Sequence, residues 1–289
     1  MRLYSPAKIK EILDKYNFSF SKGLGQNFLI DGNIVRKIRE KSGITKDDTV
    51  LEIGPGFGTL TEELVLTAKE VFAIELDQRL FPILKENFSS YENLHLIEGD
   101  VLKLDLDEIL GGKKDVKVVA NLPYYITTSI ISKFIESKLP IESLTFMVQK
   151  EVGDRMVARE GTKDFGSLSL FIQYYSEAEI VAKVPSTSFM PRPKVDSVVV
   201  RMRVRDYSKI YKEKKEDERD IDEDFLFALI HAAFNQRRKT ILNSMTSNRD
   251  LNIGKENLSK VLEDLNIDPK TRAERLSLDE FIAISLSLV

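Results

Sequence analysis

The sequence predicts an α/β protein: a Rossmann-like, mostly parallel sheet with crossover helices, followed by a small all-helical C-terminal domain. Short β-rich runs alternate with helical patterns from Thr49 onward, a glycine-rich turn follows the first run, and no strand signal occurs beyond Asp224. At 289 residues the chain exceeds the roughly 250 that one core fills well, so two domains are expected.

The elements follow in order. Residues 1–46 form a basic extension with ten basic and four acidic side chains, a local charge of +6. Five runs then read as strands: VLEI near 50, VFAIE near 71, LHLIE near 94, VKVVAN near 116 and SLTFMVQ near 143. EAEIVAKV and DSVVVRMRV, separated by the proline-rich PSTSFMPRPK, suggest a terminal strand pair that is partly antiparallel. Between 206 and 224, 14 of 19 residues are charged, which suggests a linker or an exposed helix. DFLFALIHAAFNQRRKTILNSM, KENLSKVLEDLN and SLDEFIAISLSLV carry apolar residues at helical spacing. The expected boundaries are 1–205 for the α/β domain, 206–224 for the linker and 225–289 for the helical domain.

Composition excludes several classes. No stretch approaches the roughly 18 apolar residues of a membrane span, and the charged start lacks the apolar core of an export signal, so a cytoplasmic protein without a membrane partner is expected. With no cysteine and two histidines, disulfides, zinc clusters and thiol nucleophiles are set aside, and no metal is expected. The net charge of -3 argues against a nucleic-acid partner, but its distribution does not. Besides the N-terminal extension, Arg192 to Arg205 holds Arg192, Lys194, Arg201, Arg203 and Arg205 against the single acid Asp196. Arg237, Arg238 and Lys239 form another candidate phosphate-binding group, or simply a solvated helix face.

VLEIGPGFGTLTEEL, Val50 to Leu64, runs from strand through glycine turn to helix. Gly54, Gly56 and Gly58 let backbone approach a ligand closely, although an ordinary tight turn would look the same. A dinucleotide fingerprint needs a third glycine at 59, where this chain has Thr59. Pyrophosphate disfavours a nearby carboxylate, whereas a cationic sulfonium tolerates one, so Glu52 favours S-adenosylmethionine. Glu75, 21 residues after Gly54, is placed to accept ribose hydroxyls, and Asp100 to accept an adenine amine. Each acid alone reads more readily as a solvated strand end or helix cap; three on one sheet edge point to a ligand.

The next strand ends in ANLPYY, Ala120 to Tyr125. An exocyclic adenine amine is a poor nucleophile because its lone pair is delocalised into the ring. The Asn121 side-chain oxygen and the Leu122 carbonyl are placed to accept one amine hydrogen each, with Pro123 fixing the turn. Tyr124 is placed to stack on the base, which is worth about 1–3 kcal/mol. The plainer reading is a proline turn with two core tyrosines.

These motifs resemble those of the small-subunit ribosomal RNA adenine N6,N6-dimethyltransferases over nearly the whole chain. KGLGQNFLID, GPGFGTLT, IELD, EGDVL, NLPYYITTSI, VPSTSFMPRPKVDSVVVR, AFNQRRKTILNSM and RAERLSLDEF carry the resemblance; REGTKDFG, Arg159 to Gly166, departs from it where a proline before the glycine is expected. The resemblance implies a seven-stranded class I methyltransferase sheet, S-adenosylmethionine held by Asn27, Leu29, Gly54, Glu75, Asp100 and Asn121, and Phe189 as the wall opposite Tyr124. It implies dimethylation of two adjacent adenosines in the 3′-terminal hairpin loop of 16S rRNA on an immature small subunit, by a monomer. Rival readings are a 23S rRNA adenine methyltransferase of the macrolide-resistance type, a non-catalytic RNA-binding assembly factor on the same fold, and a nicotinamide dehydrogenase, which the missing third glycine disfavours.

Overall fold

Strands screened from water on both faces are built mostly of apolar side chains, and Thr49–Ile53 is buried along its whole length with Glu52 as its one charged residue. A computed structural model of the protein describes residues 2–137, 139–215, 218–236, 238–248 and 251–289. Its strands are β1 (Phe28–Leu29), β2 (Thr49–Ile53), β3 (Glu70–Glu75), β4 (Leu94–Glu98), β5 (Val116–Asn121), β6 (Ile141–Gln149), β7 (Ser176–Val184), β8 (Phe189–Met190) and β9 (Ser197–Val204). Seven form one sheet in the order β4-β3-β2-β5-β6-β9-β7. Strands β2 to β6 pair in parallel, as the alternation of strand and helix patterns suggests, and β9 runs antiparallel to β6. The strand order reverses between β2 and β5, which opens a crevice at their carboxyl ends where sheets of this kind take ligands.

The turn after β2 needs its glycines. Gly56 has φ +61°, and a Cβ there would stand 2.8 Å from the Phe28 ring. Phe28 in turn stacks on Phe57 with centroids 4.2 Å apart. The N-terminal segment is thus packed directly onto the turn. A second ribbon fixes it from the other side: β1 pairs antiparallel with β8, and Ile30 donates to the Ser188 carbonyl at 2.8 Å. Asp31 caps the helix Gly32–Lys41 by accepting from Asn33 N–H at 2.9 Å, and it also accepts from Ser188 Oγ at 3.2 Å.

The chain divides into two compact units, 1–153 with 179–204, and 154–178 with 205–289. The second unit is largely helical and holds its own core around Leu226, Leu229, Ile230, Leu258, Leu262 and Phe281. Two features depart from the boundaries expected. Residues 154–178, including the helix Ser167–Tyr175, group with the C-terminal helices, and Phe165, Leu170 and Tyr174 join their core. The charged stretch contains the helix Tyr207–Lys215, whose Tyr211 is buried in that core and whose Tyr207 hydroxyl donates to Asp279 at 2.8 Å. Its apolar anchors, spaced four apart, are hidden among charges. The long run from Asp224 is broken, giving helices Glu223–Phe234 and Ile241–Thr246. No helix among the described residues is long and apolar enough to cross a membrane.

Candidate active site

The crevice is an open cavity of about 1080 Å³, a volume that includes open solvent at its mouth. Its walls come from the loop before β1, the turn after β2, the ends of β3 and β4, and the segment after β5. Asn27, Leu29, Glu52, Gly54, Gly56, Glu75, Asp100, Asn121, Leu122, Pro123 and Tyr124 all line it. Residues scattered over almost a hundred positions therefore meet in one place.

Glu52 is 1% exposed, and its Oε2 has no hydrogen-bond partner among the described residues. Burial pushes its carboxyl up to about 8, with the nearby Glu75 acting in the same direction. An acid that keeps its proton in the fold but loses it on unfolding makes stability fall as pH rises from 4.5 towards 8. Glu52→Gln should remove that slope. Thermal midpoints of variant and wild type, compared between pH 5 and 9, should diverge with the variant ahead at the alkaline end; parallel curves would refute the assignment.

The Glu75 carboxylate accepts from Gly56 N–H at 3.1 Å, Leu76 N–H at 2.9 Å and Asp77 N–H at 2.9 Å. Burial raises its proton affinity and these three donors oppose that. Oε1 takes two of them, so the larger remaining accepting capacity is on Oε2. Asp100 accepts from Leu102 N–H at 3.0 Å and lies 3.7 Å from Lys103 Nζ. A Cβ on Gly54 would meet nothing within 4 Å, which leaves the backbone there open to the cavity.

Asn121 ends β5, and its Nδ2 donates to the Asn27 carbonyl at 2.9 Å. This bond fixes which way the amide faces. Oδ1 has no partner among the described residues, and neither does the Leu122 carbonyl, whose own N–H donates to Met147 at 3.2 Å. The Pro123 carbonyl closes the turn, accepting from Ile126 N–H at 3.2 Å and Thr127 Oγ1 at 3.1 Å. The Tyr124 hydroxyl lies 2.9 Å from Ser197 Oγ.

Other expected residues lie elsewhere. Phe189 is not on the cavity wall: it is 3% exposed, packed into the core, and paired through its backbone with Leu29. The β1–β8 ribbon turns that side chain inward, so it does not face Tyr124 across the cavity. Asn27 lines the cavity but its side-chain amide donates to the Gly25 carbonyl at 3.2 Å, and its main chain does the orienting of Asn121. Arg192 and Lys194 are exposed and outside the cavity lining, with Arg192 Nε donating to Ser186 Oγ at 3.1 Å. Arg238 and Lys239 are exposed in the turn between two helices rather than on a helix face, and Arg237 lies outside the described residues.

Sequence reasoning missed Gln26. Its Nε2 donates to Asp77 Oδ2 at 2.7 Å and its Oε1 accepts from Ser21 N–H at 2.9 Å. Burial alone would raise the Asp77 carboxyl, but Arg79 and Gln26 hold it below the usual range. Arg79 pairs with Asp77 at 2.6 Å and stands 4.8 Å from the Phe18 ring centroid. Tyr125, 58% exposed at the rim, was also passed over.

Comparison with known proteins gives the chain its family. A family model described as ribosomal RNA adenine dimethylase matches residues 17–288. "Ribosomal RNA small subunit methyltransferase A" of Alkaliphilus oremlandii is 47% identical over 290 residues, covering 99% of this chain and 98% of the relative. The protein of the same name from Geobacillus sp. (strain WCH70) is 48% identical over 289 residues, covering 98% and 97%. Among solved structures, a dimethyladenosine transferase from Plasmodium falciparum is similar at 29% identity and TM-score 0.74, over 90% of this chain and 96% of that one. The 23S rRNA methyltransferase ErmE is similar at 25% identity and TM-score 0.65, over 91% and 99%. Matched along nearly its whole length, the chain belongs to the ribosomal RNA adenine dimethylase family.

Proposed function

We propose that the protein transfers methyl groups from S-adenosylmethionine to the N6 amines of two adjacent adenosines in the 3′-terminal hairpin loop of 16S rRNA, acting as a cytoplasmic monomer on the immature small subunit. The observation that carries the reading is the oriented Asn121 amide on the cavity wall, where Oδ1 and the carbonyl of the next residue, Leu122, both have no partner among the described residues. The small-subunit substrate is favoured because relatives named for it are 47–48% identical, against 25% for the 23S enzyme.

The residues fit the cofactor. Glu52 offers a buried carboxyl oxygen without a partner among the described residues, a cation bound beside it would favour its ionised form, and the open face at Gly54 leaves room. Glu75 and Asp100 supply acceptors for a ribose and an adenine amine. When bound, the sulfonium supplies an activated methyl group.

The protein's part is then to position and to exclude water. The two acceptors draw the amine hydrogens towards themselves and turn the nitrogen lone pair towards the donor side of the cavity, and each methyl gained is matched by one N6 proton released to water. Tyr124 holds the base by its flat face, after the nucleotide has been extruded from its stack. Holding both reactants in one geometry provides most of the acceleration, because orientation converts a bimolecular encounter into a unimolecular step. The test supplies radiolabelled cofactor to undermethylated small subunits and, separately, to 23S RNA, and identifies the modified nucleoside by chromatography. N6,N6-dimethyladenosine from the small subunit is expected; label in 23S RNA alone would move the assignment to the large subunit.

Arg238 and Lys239 are proposed to meet RNA phosphate. Reversing both charges should weaken subunit binding and flatten its salt dependence by about one logarithmic slope unit per lost contact. An unchanged slope in binding titrations across salt would remove them from the interface.

A further inference from the structure

Among the described residues the Tyr124 hydroxyl has one partner, Ser197 Oγ at 2.9 Å. Ser197 is 1% exposed and opens β9, where it pairs with Gln149 at the end of β6. Since β6 lies between β5 and β9, the tyrosine side chain reaches from the turn after β5 across the end of β6. Ser197 is itself held firmly. The preceding residue, Asp196, accepts Lys150 N–H on its carbonyl at 3.0 Å and Ser186 N–H on its carboxylate at 2.8 Å.

The aromatic ring is therefore fixed at both ends. Its near end is set by the Pro123 turn, closed by Ile126 and Thr127, and its far end by a serine built into the sheet. A tyrosine anchored only at Cβ would be free to swing its ring about χ1 and χ2. We propose that Ser197 is a positioning residue for methyl transfer, holding the Tyr124 ring at a single tilt so that the stacked base presents its amine in line. This rests on the functional reading above. Burial keeps the Tyr124 hydroxyl in its neutral form, so the bond persists across the assay range.

A purely structural serine and a positioning serine predict different kinetics. Ser197→Ala leaves the ring in place but lets it tilt, so stacking survives while alignment suffers. We expect kcat to fall about tenfold, since small misplacements of a reacting group are costly, with the RNA KM within about twofold and cofactor Kd unchanged. Tyr124→Phe keeps the ring and removes the same bond, so it should show the same loss. The double variant should be no slower than either single variant, because both delete one interaction. Multiplying losses, or an unchanged kcat in Ser197→Ala, would overturn the inference. If Ser197→Ala does not fold, Tyr124→Phe decides alone, and a wild-type kcat in it overturns the proposal. Absence of adenine methylation by the wild-type protein would instead overturn the functional reading, and this inference with it.

Discussion

Replacing Asn121 with alanine is expected to slow methyl transfer by about 10²- to 10³-fold, the range seen when one preorganised hydrogen-bonding group aimed at a reacting centre is removed. Cofactor affinity should stay within about threefold of wild type, because this group acts on the amine in the transition state rather than on the bound donor. Asn121→Asp sharpens the test. Aspartate keeps the Oδ1 acceptor but puts a second acceptor oxygen where the Nδ2 donor stood, so a carboxylate oxygen would face the Asn27 carbonyl that Nδ2 now meets at 2.9 Å. The side chain should rotate away, and the variant should lose activity nearly as fully as alanine. Single-turnover rates at saturating cofactor, with equilibrium titration beside them, measure both quantities. Turnover of either variant within twofold of wild type would sink the assigned role.

Gly56→Ala should have the next largest effect, and on binding rather than chemistry. The added Cβ would stand 2.8 Å from the Phe28 ring, and φ of +61° is strained for alanine. Phe28 is stacked on Phe57 and cannot yield without moving the loop that carries Asn27 and Leu29, both on the cavity wall. The Gly56 N–H that Glu75 accepts would shift with it. Cofactor affinity should fall at least about tenfold, equivalent to roughly 1.4 kcal/mol, measured by calorimetric titration. Retained affinity would mean that the loop adapts without cost.

The strands were legible because each is an apolar run set off by turn residues, and the acids at their ends were legible because sheet topology gathers strand ends on one edge. What stayed hidden depends on distant pairing. The two-residue strands Phe28–Leu29 and Phe189–Met190 are too short to show any period, and their partnership spans some 160 positions. That partnership is what turns Phe189 into the core. Gln26 sits within a recognisable motif, but its meaning comes from Asp77, 51 residues away. The grouping of residues 154–178 with the C-terminal helices was concealed for a similar reason, since Tyr174 finds Glu223 at 3.1 Å only after folding. Glu52 could be recognised as unusual from its place before the turn, yet its near-complete burial required the structure.

The locked amide of Asn121 carries a consequence for which nucleobases the enzyme can process. The bond from Nδ2 to Asn27 orients the amide, so that under the proposed mechanism the base meets lone pairs on Oδ1 and on the Leu122 carbonyl. Guanine and hypoxanthine carry an oxygen at the six position and would meet this edge lone pair against lone pair, so they are repelled. An adenine already bearing one methyl keeps a single hydrogen on that nitrogen, so the second transfer must proceed with one of the two oxygens left unanswered.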